Sequence, residues 1–218
     1  RKARYKFTHY KPNSNPNSIS SLFIIDIIED TDGSLWIATN NGLNHFNKQT
    51  NQFTVYKHNP SNSNTISSND ISSLCLDQNN NLWIGTWGAG LDLYNPRTNQ
   101  FFHFKHNPSD DNSLSHNIVM KLFCDYSGNI WVGTWGGGLN KLVFPNNLNL
   151  NLVNSKVEQK PHFIRFQHNE NNLLSISGNS IYSIFEDATG NMWIGTDWGG
   201  VNRFIKDNNK FRHIYSEP

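Results

Sequence analysis

Asp125-Tyr126-Ser127-Gly128-Asn129-Ile130-Trp131-Val132-Gly133-Thr134-Trp135-Gly136-Gly137-Gly138-Leu139 recurs with small changes four times in this 218-residue chain. The other copies begin at Asp30, Asp77 and Asp187, and each sets a Trp six residues after the Asp: Trp36, Trp83, Trp131 and Trp193. An Asp and a Gly three residues apart among polar residues are turn chemistry, because Gly accepts positive φ and Asp bonds its own backbone. The copy at Asp77 has Asn80 in the Gly place, and Asn tolerates the same left-handed conformation. The Trp-bearing run that follows is short, apolar and bounded by turn signals, as a buried strand is. A second apolar run precedes each Asp (24–28, 71–76, 118–124, 181–185), so the pair reads as a hairpin. A third strand leaves the glycines at Leu43, Leu91, Leu139 or Val201. A fourth begins at Phe53, Phe101, Phe163 or Phe211, and only Phe163 lies at a long remove from its third strand.

The period decides the architecture. Trp36 to Trp83 is 47 residues, Trp83 to Trp131 is 48, and Trp131 to Trp193 is 62, the excess matching the longer connection before Phe163. A four-stranded unit of about 40–50 residues is the size of a β-propeller blade. A lone meander cannot bury both faces, so neighbouring blades must cover each other. That accounts for Trp strands that are apolar on successive residues. The small residue after each of them (Ala38, Gly85, Gly133, Gly195) would let the next sheet approach closely. The fold expected is all-β, a β-propeller array of four four-stranded antiparallel blades at 22–56, 69–104, 117–166 and 179–215, with an insertion at 145–161, in one region over 1–218. Phe7-Thr8-His9-Tyr10 matches the fourth strands at Phe53, Phe101, Phe163 and Phe211. The reading is one extra N-terminal outer strand at 5–10, left by a preceding blade, and a chain that is a fragment of a larger, seven-bladed-type propeller with open apolar faces at its ends; a compact four-bladed ring with a spare strand is the alternative.

Charged residues make up 16% of the chain and the net charge is +1, which gives no field for nucleic acid or an anionic membrane. No run approaches the roughly 20 apolar residues of a membrane span. The remaining polarity is largely Asn, Ser and Thr, which suits uncharged, hydroxyl-rich ligands. Cys75 lies two residues before Asp77 and Cys124 one before Asp125, so they face opposite sides of their strands. A disulfide between them is not expected on that count, and the redox compartment stays open. His58, His106 and His168 recur after the fourth strands. Such regularity reads as a structural hydrogen bond anchoring the loop that crosses to the next blade, and no metal site is expected.

The D-x-x-G-N-L-W-I-G-T-x-G-G-L pattern, followed by F-x-x-Y-x-H-N-P and S-L-S-x-N-x-I, resembles the two-component regulator propeller repeat of the sensor region of bacterial hybrid two-component systems. The resemblance covers essentially the whole chain apart from the insertion. It implies paired seven-bladed propellers in the parent, followed by an immunoglobulin-like domain, a membrane helix and cytoplasmic kinase, receiver and DNA-binding modules. It also implies a periplasmic setting, an oligosaccharide ligand and a relay to a histidine kinase that this chain lacks. Its partners on this reading are the oligosaccharide, the remaining blades and a second propeller or subunit.

Beyond the four hallmark tryptophans, Trp87, Trp135 and Trp198 lie in the glycine-rich turns, where the first blade has Asn40-Asn41-Gly42. A flat indole on such a loop is what stacking on a sugar ring needs, with Asp197, Asn40 and Asn41 as partners for hydroxyls. The competing structural reading has these indoles plug the central channel or cover a neighbouring loop. The turn aspartates resemble the Asp-box of sialidase-type propellers, which raises a glycosidase. One Asp per blade is too widely spaced for a catalytic pair, the arginines are scattered, and no G-x-S-x-G, H-E-x-x-H or P-loop occurs. No catalytic residue and no cofactor are therefore expected. A non-catalytic protein-interaction or dimerisation scaffold is the main alternative to a sensor.

Overall fold

The computed structural model describes residues 7–144 and 161–214, and the regular structure among them is entirely β. The strands are β1 (Ile24–Glu29), β2 (Leu35–Thr39), β3 (Gly42–Asn47) and β4 (Gln52–Tyr56) in blade 1, then β5 (Ile71–Leu76), β6 (Leu82–Thr86), β7 (Leu91–Asn95) and β8 (Gln100–Phe104) in blade 2. Blade 3 has β9 (Val119–Cys124), β10 (Ile130–Thr134), β11 (Leu139–Val143) and β12 (His162–Phe166), and blade 4 has β13 (Ile181–Glu186), β14 (Met192–Thr196), β15 (Gly200–Ile205) and β16 (Lys210–Ile214). Each blade is a meander paired in sequence order. The first strands β1, β5, β9 and β13 lie next to one another in succession, so they form the inner ends of the sheets. The insertion 145–161 lies outside the described residues except for Pro161.

One hydrogen bond repeats in every blade and joins the turn to the core. The indole Nε1 of Trp36, Trp83, Trp131 and Trp193 donates to the carboxylate of the Asp six residues earlier, at 2.8, 3.2, 2.9 and 2.8 Å. The same aspartates accept turn N–H groups, as Asp77 does from Asn79 and Asn81 and Asp125 from Asn129. At Asp187 the Thr189 hydroxyl, followed by the Trp193 indole, holds the carboxyl well below the usual carboxylate range. A polar atom on a core Trp needs such an acceptor. The spacing of six therefore serves the scaffold.

Each hallmark Trp faces the following blade. Trp36 packs with Ile71, Leu74 and Ile84, Trp83 with Val119 and Leu122, and Trp131 with Ile181, Ile184 and Ile194. Trp193, with no described blade beyond it, is only half-buried. The small residues after the Trp strands do admit the next sheet. A Cβ on Gly85 would stand 2.7 Å from Val119 Cγ1, and one on Gly133 2.7 Å from Ile181 Cβ. Gly133→Val is accordingly expected to cost roughly 1–3 kcal/mol by overpacking this junction. A thermal melt superimposable on the parent's would dismiss that account.

The crossing-loop histidines are anchors, as their regular spacing indicates. His58, His106 and His168 each donate Nδ1–H to a carbonyl eight residues on (Ile66, Leu114, Ile176), all at 2.8 Å. Their own N–H groups donate to Asn69, Asn117 and Asn179.

Two expectations are corrected. Cys75 and Cys124 form a disulfide, with Cα atoms 6.2 Å apart. The two side chains do lie on opposite faces of their strands, and that is what brings them together. In a radial array the leading face of one sheet meets the trailing face of the next, so a bridge between adjacent blades requires opposite parity. Cys75 shares its strand position with Phe123, which faces blade 4, whereas Cys124 shares its position with Leu76, which faces blade 1. The second correction concerns the extra strand at 5–10. Tyr5 and Lys6 lie outside the described residues, and Phe7–Tyr10 pair with no sheet. Tyr10 nevertheless packs on Phe46 and Phe53 at 5.0 and 5.5 Å, as Tyr56 packs on Tyr94 and Phe101 of blade 2 at 5.4 and 6.2 Å. The segment thus fills the seat of a preceding fourth strand without the ladder. The far flanks are open and apolar, with Ile24 and Ile27 on blade 1 and Phe185 on blade 4 each roughly half exposed.

Candidate functional site

The glycine-rich turns between second and third strands and the crossing loops share one end of the array. Gly42, Gly90 and Gly138 donate their N–H groups to Asn69, Asn117 and Asn179 of the crossing loops. The Asp turns share the other end, where Asn80 bonds Thr31, Gln78 bonds the Tyr126 carbonyl and Glu186 accepts Tyr126 N–H.

The three loop tryptophans are not equivalent. Trp87, Trp135 and Asp197 occupy one position, each donating its N–H to the residue just before its own first strand: Asp70, Ile118 and Ser180. Trp198 sits one residue later, where blades 2 and 3 have Gly88 and Gly136, and it takes the left-handed backbone, φ +57°, against +105° and +78° for those glycines. A bulky residue with positive φ is strained, and such strain gathers at functional positions. Trp198 is also 99% exposed, whereas Trp87 and Trp135 are about half covered.

Trp135 leans toward the inner strand of the next blade, its ring 6.3 Å from that of Tyr182. Tyr182 is the residue skipped in the β13–β14 pairing, a bulge that aims its side chain away from the ladder. Ile25, Ser72 and Met120 hold that position in the other blades. Sequence reading missed Tyr182, although an aromatic at a repeat position otherwise held by dissimilar residues was the available signal. It is 49% exposed, so Trp135 and Tyr182 present an open aromatic pair across the boundary of blades 3 and 4. Asp197 lies in the β14–β15 turn of blade 4, immediately before Trp198, and is partly exposed.

Asn40 and Asn41 are committed elsewhere. Asn40 Oδ1 accepts the Ser21 hydroxyl, Asn41 Nδ2 donates to the Ser20 carbonyl, and Lys57 Nζ donates to the Asn41 carbonyl and side chain. Desolvation lowers the Lys57 pKa. These asparagines fasten blade 1's loop, and blade 1 offers no indole there.

One group at the Asp-turn end could place ligand atoms around a cation. Asp30, Asp32 and His45 each bring one such atom within 4.8 Å of the others. The Ser34 hydroxyl lies between Asp32 and His45, 2.5 and 2.6 Å from them, and Trp36 donates to Asp30. The bond from Ser34 depresses the Asp32 pKa, while burial is the largest influence on His45 and lowers its value. Internal hydrogen bonds account for this arrangement.

Four sheets standing side by side, with the same Asp–Trp bond in each, define a β-propeller array. The repeats match the family model of the two-component regulator propeller at residues 18–41, 65–88, 113–136 and 175–198. Among solved structures, the chain resembles the extracellular domain of a hybrid two component system from B. thetaiotaomicron, at 25% identity and a TM-score of 0.69, over 88% of this chain and 24% of that one. It also superimposes on PorZ, a surface component of the type-IX secretion system of Porphyromonas gingivalis (18% identity, TM-score 0.65, 99% and 30% covered), and on virginiamycin B lyase from Staphylococcus aureus (15%, 0.58, 94% and 58%). The latter two show the fold alone. The chain spans about a quarter of the first structure's length, and no curated protein sequence matches it. Similarity to the extracellular domain of a hybrid two component system supports a sensor propeller. An extracytoplasmic setting is consistent with that neighbour and with a disulfide. No helix long and apolar enough to cross a membrane occurs among the described residues.

Proposed function

We propose that this chain is the ligand-sensing part of a periplasmic hybrid two-component sensor, that it detects an oligosaccharide, and that it relays occupancy to a histidine kinase elsewhere in the polypeptide. The observation that carries this reading is the exposed aromatic set at the glycine-turn end of blades 3 and 4. Trp135 and Tyr182 form a pair there, and Trp198 is held outward by strained backbone. Indole and phenol faces offer the flat apolar surface on which the C–H face of a pyranose stacks, and Asp197 stands beside them to accept from hydroxyls. A ligand that binds one arrangement of the blades, or of the propeller against its partner, more tightly than another shifts that equilibrium and thereby carries a signal. The same reading makes further blades and a second propeller or subunit its partners, and assigns the chain no catalysis.

Glycan-array screening followed by calorimetry tests this. Trp198→Ala and Trp135→Ala are each expected to weaken oligosaccharide binding by ten-fold or more, in the range of anchor residues at interfaces. Trp198→Ala should leave the melting temperature unchanged, because the side chain touches little. Unaltered affinity in both variants would falsify the stacking platform. The open apolar flanks of blades 1 and 4 support a second reading, a protein-interaction scaffold, which predicts that no glycan binds and that a protein partner buries Ile27 or Phe185.

A further inference from the structure

A buried position that is Asn in three blades is Asp in the second. Asn44, Asn140 and Asn202 are fully buried and accept the backbone N–H of Ser20, Ser115 and Ser177 on the crossing loops. Asp92 does the same for Ser67 at 2.7 Å, but it brings a carboxylate to a place with no solvent exposure. A charge at that depth requires a partner. Its cross-strand neighbour on β8 is His103, whose Nδ1 lies 2.7 Å from Asp92 Oδ1. On the other side of the ring, Nε2 lies 2.9 Å from the carbonyl oxygen of Ser63 on the crossing loop. A carbonyl oxygen and a carboxylate only accept, so opposite an ionised Asp92 both ring nitrogens must carry hydrogen to make these two contacts, and the ring that makes them is an imidazolium.

The other blades fill this cross-strand position differently, with Val55, Arg165 and His213. Arg165 donates to the carbonyls of Ser113 and Asp110 on its own crossing loop, and a guanidinium keeps its charge at any accessible pH. His213 Nε2 meets the Ser175 carbonyl, opposite Asn202 instead of a carboxylate. Blade 2 alone among the four pairs a titratable ring with a buried acid here.

We infer that Asp92, His103 and the Ser63 carbonyl form a proton-operated latch that ties the loop between blades 1 and 2 to the outer edge of blade 2. When the ring loses a proton, the remaining hydrogen stays on Nδ1, facing the buried carboxylate. Nε2 then turns a lone pair on the Ser63 oxygen, two acceptors oppose each other, and the loop is released. The hydrogen bond that His103 Nδ1–H donates to Asp92 raises the His103 pKa above the ordinary 6.5, with burial and the nearby Lys105 opposing it. The stabilisation is therefore complete below about 6.5 and disappears as pH rises through the higher folded-state value. At this point the loop forms one wall of an open groove of about 550 Å³, Ser63 and Asn64 facing β8.

The amide of Phe101 reports the latch, because it donates to Asn64 Oδ1 in the held loop at 2.8 Å. Its counterpart in blade 3 is Phe163 N–H, which donates to the Asn112 carbonyl in the loop held by Arg165. Hydrogen exchange by NMR on the whole chain, from about pH 5.5 to 9 and expressed as protection relative to unstructured peptide, compares the two directly. Protection at Phe101 should fall roughly five- to ten-fold across the His103 titration while Phe163 stays level. His103→Arg should level the Phe101 profile, and Asp92→Asn, which copies blade 4, should move its midpoint to lower pH. The latch is overturned by a common pH course at Phe101 and Phe163, or by a His103 ring that titrates at or below 6.5 in the parent. These readouts involve no glycan, so failure here leaves the sensing proposal standing, and the reverse.

Discussion

Trp131→Ala should lower the unfolding free energy by about 3–5 kcal/mol, the range for removing a large aromatic from a close-packed core. Trp131 is 1% exposed, packs at 6.0 Å on Phe166 and 5.1 Å on Phe204, and faces the first strand of blade 4. Truncation opens a cavity at a junction between two sheets and strips Asp125 of its indole donor. Trp193→Ala is the internal control, since it removes the same side chain and the same hydrogen bond to Asp187 from a blade whose far flank is uncovered. Its loss should be less than half as large. Denaturant titration of both variants measures the difference, and equal losses would mean that the indoles act within their own blade only. Asp125→Asn separates packing from hydrogen bonding, because it keeps the indole in place and weakens the bonds the carboxylate accepts from Trp131 Nε1 and from Asn129.

Opening the disulfide is expected to have the second largest effect. Cys75 and Cys124 are 49 residues apart in sequence, and closing a loop of that length restricts the unfolded chain by about 4 kcal/mol in the chain-entropy account. The double variant Cys75→Ser, Cys124→Ser should therefore melt well below the parent, and reductant should produce the same decrease in the parent but none in the variant. A melting temperature indifferent to reductant would remove the bridge as a source of stability. Since the bond joins the inner strands of blades 2 and 3, loss of it should affect the Trp83 junction before the Trp131 junction. Hydrogen exchange along β9 against β13 reads that order.

The repeat carried most of the architecture into the sequence. Four Asp–Trp pairs at a spacing of six, glycines in the second turn and aromatic fourth strands are local patterns, and each is legible because the same problem is solved four times. The histidine anchors were readable for that reason also: a bond made in three copies within one loop needs no knowledge of the rest of the molecule. The site was read less completely. Residue numbers show that Trp198 stands one position further from its Thr than Trp87 and Trp135 do, but its left-handed backbone in the slot of a positive-φ glycine and its full exposure are set by the fold of the turn. Tyr182 was passed over because its partner Trp135 comes from another blade.

What the amino-acid order determined alone is therefore the blade: its strands, its turns and the internal bond from indole to carboxylate, all set by interactions within about 45 residues. Which faces of successive blades meet was left to the tertiary structure, and that decided the disulfide, the burial of each Trp and the meeting of Trp135 with Tyr182. The reason is geometric. Strand alternation tells which side of a sheet a residue occupies, but only the stacking of one sheet's leading face on the next one's trailing face tells whether opposite sides look apart, as Cys75 and Cys124 first suggested, or toward each other, as they do.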